Sequence, residues 1–257
     1  VSEDIDETRA PLMEHLIELR RRLLWSLAAL AAAFGICLYF ARPIFAFLVQ
    51  PLLRAGQGKI IYTDIFEAFF VEVKVAFFAA LMIAFPVIAN QLWKFVAPGL
   101  YGREKKALLP FLMLTPVLFL CGAALAYYVA MPLALRYMLS YQGDIGGIQQ
   151  EALPAVGNYL TFSTRFIFGF GVAFLLPVLL MLLERAGIVS RQQLRKGRRY
   201  AIVAAFAAAA VLTPPDVVSQ LMLAVPLVAL YELSLLAIWF TERRRARETD
   251  AAGDAPA

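Results

Sequence analysis

Glu18 stands four residues ahead of Arg22 in the string HLIELRRRLLW, which leads directly into an apolar run. A carboxylate in that place has two uses. It can close an i,i+4 ion pair with Arg22 on a solvated helix face, a weak and common arrangement. It can also receive a cationic group from a partner. A second acid, Glu104, opens another apolar segment among Arg103, Lys105 and Lys106. The helix macrodipole alone favours a carboxylate in a first turn, so Glu104 is open to the same two readings. If Glu18 and Glu104 converge, the ligand that suits them carries paired guanidinium groups, each a planar fork that a lysine ammonium cannot copy. Two charge-assisted contacts of this kind would carry much of a micromolar affinity.

Asp216 and Gln220 form a second polar pair, four residues apart in LTPPDVVSQLMLAVP. Asp216 suits the N-cap of a helix behind Pro214 and Pro215. Gln220 lies one turn deeper, where an amide facing lipid is costly, so it should face protein. Arg20 points into the apolar sector between leucine rows, where it either snorkels or ties its helix to the rest of the chain. The sequence holds no Ser/His/Asp or Cys/His set, no phosphate loop and no paired intramembrane carboxylates, which disfavours an enzyme. The single histidine, His15, has no convincing metal partners, and Cys37 and Cys121 read as small core residues within apolar runs. No catalytic residue, metal or cofactor is expected.

These residues are positioned by membrane spans. The chain is 61% apolar and only 17% charged, with a mean hydropathy of +0.71, where soluble domains run about a quarter charged. Its apolar runs are long enough for a hydrocarbon core of about 30 Å, and the period-2 alternation of a β-barrel is missing. We read an all-α membrane protein with six transmembrane helices, at residues 23–41, 69–95, 108–128, 159–183, 200–213 and 217–240. The acidic start (Glu3, Asp4, Asp6, Glu7) lacks a cleavage site, so the first span should stay as an anchor. Residues 1–245 are expected to form one integral membrane domain and 246–257 a disordered cytoplasmic tail.

Of the 24 Lys and Arg residues, eighteen fall in the N-terminal segment, the second and fourth connections and the tail. Only Arg42, Arg54, Lys59 and Arg136 fall on the opposite side, with Lys74 and Arg165 near span ends. The positive-inside rule then puts both termini in the cytoplasm, and the net charge of +5 reflects topology, not nucleic-acid binding. The connections at 42–68 and 129–158 are long enough to carry substructure, and should cap the outer face. The fifth span is short, and TPPD turns it at once into the sixth, giving a hairpin that thins the bilayer or sits low in it. Prolines 86, 110, 116, 177 and 226 kink the spans and favour a curved wall over a straight bundle.

Three strings in order, HLIELRRRL, QLWKFVAPGLYGREKK and LTPPDVVSQLMLAVP, with YTDIFEAFF between the first two, resemble the TatC family over about residues 11–245. TatC is the polytopic subunit of the twin-arginine protein translocase. The resemblance implies a glove-like arrangement of six helices in the cytoplasmic (inner) membrane of a prokaryote, and a receptor that is not an enzyme. Such a receptor binds the twin-arginine signal peptides of folded cargo proteins at its cytoplasmic face. It assembles with single-span subunits of the TatA and TatB type, and forms a homo-oligomer within the complex. Carried onto this sequence, the recognition acids are Glu18 and Glu104, with Leu19, Arg20 and Leu23 in the patch around them. Pro51 and Phe95 match positions important to the family's structure and function. Asp216 and Gln220 match polar positions where the partner subunits dock. Two positions depart from the family pattern. Leu175 stands where members often carry Glu or Gln, and Gly102 replaces a basic residue seen in some members, with Arg103 beside it. The competing readings are a small-solute secondary transporter, for which the spans show neither repeated halves nor midplane polar groups, and a membrane-embedded hydrolase, for which no nucleophile and base are present.

Overall fold

The computed structural model describes residues 3–100, 105–185, 187–213 and 216–253. They fold into α1 (Glu3–Tyr39), α2 (Ala41–Arg54), α3 (Glu67–Leu100), α4 (Lys105–Leu125), a π turn (Ala126–Ala130) and α5 (Met131–Leu139). A two-stranded hairpin follows, β1 (Gly143–Ile145) with β2 (Ile148–Gln150). The rest is α6 (Val156–Ala173), α7 (Leu176–Arg185), α8 (Arg191–Lys196), α9 (Arg198–Leu212) and α10 (Val217–Gly253). The residues group into two compact units. One holds 1–50, 61–116 and 155–160, and the other 51–60, 117–154 and 161–257.

Among the described residues, five helical stretches are long and apolar enough to cross a membrane: His15–Tyr39, Glu67–Phe95, Met113–Leu139, Val156–Arg185 and Val217–Arg243. The expected fifth span at 200–213 is helical but only 15 residues long, as α9. At 1.5 Å per residue that is about 22 Å, short of a hydrocarbon core. It ends at Thr213, which is extended (φ −108°, ψ 158°), as a residue before proline is driven to be. Other boundaries also move. The first span starts well ahead of residue 23, and the third runs on past Tyr128 to Leu139. Helix α3 continues through Pro98 to Leu100. Helix α10 reaches Gly253, into the segment expected to be a disordered tail. The run ERRRARETDAA there is rich in strong helix formers, which explains the continuation.

In the first unit α1 packs along α3. Their interface is built from small residues at helical spacing: Ala33 and Cys37, with Ala41 at the start of α2, against Ala76, Ala80 and Ala84, with Leu30, Phe34 and Ile88 at its edges. Small side chains let two helix backbones approach closely, which drives association where lipid is as apolar as leucine. Cys37 is buried here as expected, but Cys121 is exposed on α4, so it is not a core residue. In the second unit α10 is the hub, packing on α5, α7, α8 and α9. One cluster joins Leu194, Tyr231, Leu235 and Ile238, and the Tyr231 hydroxyl donates to the Leu194 carbonyl at 2.7 Å. Helices α4 and α6 touch at glycines. A Cβ on Gly122 would stand 2.5 Å from the Phe170 carbonyl oxygen, and one on Gly171 would stand 2.6 Å from the Phe119 ring.

The two long connections are tied down. The Ile61 carbonyl accepts from the Val156 N–H at 2.9 Å, and the Gly157 N–H donates to the Glu67 carboxylate at 2.6 Å. The other Glu67 oxygen accepts from the Thr63 hydroxyl at 3.0 Å and the Asp64 N–H at 3.3 Å. In the second unit the Gln57 amide donates to the Ala152 carbonyl.

Candidate functional site

Residues 18, 22, 26, 30, 33 and 37 recur at three- and four-residue steps and so lie along one side of α1. Ala33 and Cys37 bury that side against α3, and Glu18, Arg22 and Ser26 are half-buried on it. Glu18 makes the i,i+4 ion pair with Arg22, the first of its two uses. It accepts from Arg22 Nε at 3.1 Å and from Arg22 Nη2 as well, while the Arg22 carbonyl accepts from Ser26 Oγ at 3.0 Å. The row of leucines faces the other way: Leu16, Leu19 and Leu23 are all exposed. In a soluble helix the apolar stripe seeks the core. In a membrane the lipid side is at least as apolar, and the stripe of small residues marks the packed side.

A cavity of about 350 Å³ opens beside Glu18, lined by Glu18, Arg21, Arg22 and Trp25 of α1 and by Gln91 and Lys94 of α3. The sequence reading missed Gln91 and Lys94 as lining residues, although two polar groups three apart at the end of an apolar helix were the available signal. The charge around the cavity is one carboxylate against Arg21, Arg22 and Lys94. Both Arg22 bonds fall on Glu18 Oε1, so a new guanidinium would take Oε2 beside Arg22, or the whole carboxylate once Arg22 releases it, and the excess of cations favours the second. Glu104, the second expected acid, lies outside the described residues, ten positions after Lys94 in sequence.

Leu19 and Leu23 do not line this cavity. Arg20 is exposed and borders a separate open groove with Ile17, Arg21, Leu24, Trp25 and Ala28. Among the described residues its guanidinium makes no hydrogen bond or ion pair. Phe95 stacks on His15, with ring centroids 4.3 Å apart and planes 21° from parallel. This pins α1 to α3 next to the cavity and gives the lone histidine a packing role. Two positions earlier, Trp93 Nε1 donates to Thr115 Oγ1 at 2.9 Å, which fixes α3 to α4.

Asp216 caps α10, accepting from the Ser219 N–H at 2.8 Å. Its second oxygen is buried, without a hydrogen-bond partner among the described residues. Gln220 faces protein: its amide donates to the Phe206 carbonyl of α9 at 3.2 Å, closing the α9–α10 hairpin. Pro51 is buried within α2, and Leu175 sits half-buried in the turn between α6 and α7. The structure thus gathers Glu18 with Phe95's stacking partner at one end of the α1–α3 pair, and Asp216 with Gln220 at the α9–α10 turn. Among the described residues no group of three His, Cys, Asp or Glu is placed to hold a metal ion.

The chain was compared with known proteins. A family model described as "Sec-independent protein translocase protein (TatC)" matches residues 14–226. A TatC of Magnetococcus marinus is 48% identical over 251 residues, 97% of this chain and 91% of the relative. A TatC of Helicobacter pylori (strain 26695) is 43% identical over 225 residues, 88% of this chain and 86% of the relative. Among solved structures, a crystal structure of a twin-arginine translocase receptor, TatC, is 38% identical with a TM-score of 0.75, covering 86% of this chain and 96% of that one. A second such structure, determined in DDM, is 37% identical with a TM-score of 0.77, covering 87% and 98%.

Proposed function

Because the chain belongs to the TatC family of Sec-independent protein translocase proteins, we propose that it is the receptor subunit for twin-arginine signal peptides of folded proteins. It is a multi-pass membrane protein and a translocase component, not an enzyme. In this reading it lies in the inner membrane of a prokaryote with six spans, the short α9 counting as the fifth, and both termini are cytoplasmic. The basic connections support that orientation. TatA- and TatB-type subunits and further copies of the chain assemble around it, with Asp216 and Gln220 at the hairpin they approach.

The observation that carries the reading is the half-buried Glu18 carboxylate in a cavity at the basic end of α1 and α3. The chemistry is an exchange. An incoming guanidinium replaces that of Arg22 on Glu18, so one charge-assisted fork is traded for another and no carboxylate is left bare. Arg22 is then free to turn to water, and the second arginine of the pair goes to Glu104. A lysine pair would offer point charges without the fork and lose the geometric match.

The test is site-specific crosslinking from position 18 to a twin-arginine signal peptide, with a twin-lysine peptide as control. Strong crosslinking to the first and weak crosslinking to the second is expected. Charge reversal of Glu18 or Glu104 should abolish binding while leaving membrane insertion intact. Unchanged crosslinking of the signal peptide to both reversed variants would sink the reading.

A further inference from the structure

Lys74 and Lys94 are both exposed on α3, twenty positions apart, and no charged residue lies between them. Arg165 on α6 and Arg185 at the end of α7 stand at the same interval, with Glu184 as the only charge between them. Arg22 and Arg42 repeat it across the uncharged run of α1. Twenty helical residues rise about 30 Å, the thickness of a bilayer's hydrocarbon core. On α3, which is unbroken between them, the two cations thus stand one hydrocarbon thickness apart; the other two segments repeat the residue interval across the turn at Phe174–Leu175 and the break at Phe40.

The two members on the far side from Lys94 and Arg185 differ from Arg42. Arg42 is paired with Glu72 at 3.1 Å. Lys74 and Arg165 are exposed and have no carboxylate within ion-pair reach among the described residues. A cation left unpaired beside an apolar span needs an anion or water, and its long stem lets it reach the interface.

What lies beyond them on each helix agrees. Past Lys74, toward the start of α3, come Glu72 and Glu67, the latter bound by backbone N–H groups of the connecting segment. Past Arg165, toward the start of α6, come Gly157 and the Ile61–Val156 backbone pairing. Irregular backbone of that kind is not tolerated facing hydrocarbon. The end of α9 lies near Arg165: a Cβ on Gly169, one turn inward of Arg165 on the same face, would stand 2.9 Å from Leu212. The short hairpin thus stops just inside Arg165.

We infer that Lys74 and Arg165 are anchors for phospholipid headgroups, each at the membrane surface opposite the cation twenty residues on in its own segment, and that they set how deep the protein sits. The phosphates at that surface complete each cation. Everything beyond them, including the Glu67–Gly157 tie, stands out of the hydrocarbon.

The test uses the full chain in nanodiscs of phosphatidylethanolamine and phosphatidylglycerol, with both faces open to reagent and Cys37 and Cys121 replaced by alanine. Single cysteines are placed at exposed positions, Phe70→Cys and Asn158→Cys beyond the anchors, Ile83→Cys and Val172→Cys between the belts. A membrane-impermeant maleimide should label the first two about tenfold faster than the second two, since only water-facing thiols ionise and react. With Lys74→Leu and Arg165→Leu together, labelling at 70 and 158 should fall as the protein sinks, while Lys74→Arg with Arg165→Lys keeps it. Equal labelling at all four positions, or no change in the doubly substituted chain, would overturn the inference. If that chain does not purify as one species, Arg165→Gln alone is read at position 158 with the same two outcomes.

Discussion

The carboxylate of Glu67, in the first turn of α3, accepts a hydrogen bond of 2.6 Å from the backbone N–H of Gly157, ninety residues further along the chain. A Cβ at 157 would stand 2.7 Å from Glu67 Oε1 and push the carboxylate aside. One side chain thus ties the connection before α3 to the start of α6. Replacing it with alanine frees the backbone N–H groups of Thr63, Asp64 and Gly157 at once. Glu67→Ala should lower the thermal midpoint in detergent and speed proteolytic cleavage within residues 55–66. Glu67→Gln keeps one acceptor oxygen of the same reach and should fall between. Identical protease patterns for all three proteins would show that the tie does not order the connection.

Gly122 and Gly35 make a contrasting pair. A methyl group on Gly122 meets the Phe170 carbonyl and the Phe174 ring, whereas on Gly35 it meets nothing within 4 Å. Gly122→Ala should cost about 1–3 kcal/mol, the range for overpacking a fitted contact. Gly35→Ala, in the middle of α1, should be neutral or stabilising by up to about 1 kcal/mol. Thermal unfolding followed by size-exclusion chromatography separates the two.

Arg22 competes with the proposed ligand for Glu18. Arg22→Gln should therefore keep or raise binding of a twin-arginine peptide, by up to about tenfold if freeing the carboxylate is the main barrier. Glu18→Gln should lose most of it. Equilibrium binding of a labelled peptide to the purified protein gives both values. A loss of binding in Arg22→Gln as deep as in Glu18→Gln would mean that the pair holds the site's shape and that exchange is not how it works.

At the hairpin, Asp216→Asn keeps a capping oxygen and Asp216→Ala does not. The alanine variant should lose about 1 kcal/mol relative to the asparagine one, the usual worth of an N-cap. A function beyond capping would show as a transport defect in Asp216→Asn at unchanged stability, because only the charge has gone.

The spans were readable because length and lack of charge suffice to find them, and α3, α6–α7 and α10 fall close to where the apolar runs lie. The facing of α1 was not. Its leucines make the more conspicuous stripe, yet the packed side carries Ser26, Ala33 and Cys37, and Glu18 with them. In lipid the contrast between sides is one of size, and a reading by hydropathy alone turns the helix the wrong way. Glu67 does not stand out in the sequence because its partner is ninety residues away. Phe95 was singled out only by resemblance, since nothing local announces that His15 will stack on it. Gln220 was legible from chemistry: an amide in an apolar span must find a partner, and Phe206 is that partner.

The wide turn between α4 and α5 bears on how the chain tolerates gain and loss of residues. Phe119, Ala123, Tyr127, Met131 and Leu135 are all buried, in steps of four. An unbroken α-helix turns 400° over four residues, so four such steps would carry Leu135 some 160° around the axis from Phe119. They stay buried because the π turn at Ala126–Ala130 takes up one residue, with the Met131 N–H reaching the Ala126 carbonyl five positions back. Pro132, which has no N–H to offer the carbonyl four back, sits just beyond. The turn therefore has the form of a one-residue insertion absorbed in place. Removing exposed Tyr128 or Val129 would leave a plain α-helix with the same side chains facing inward, and a deletion one turn to either side would not.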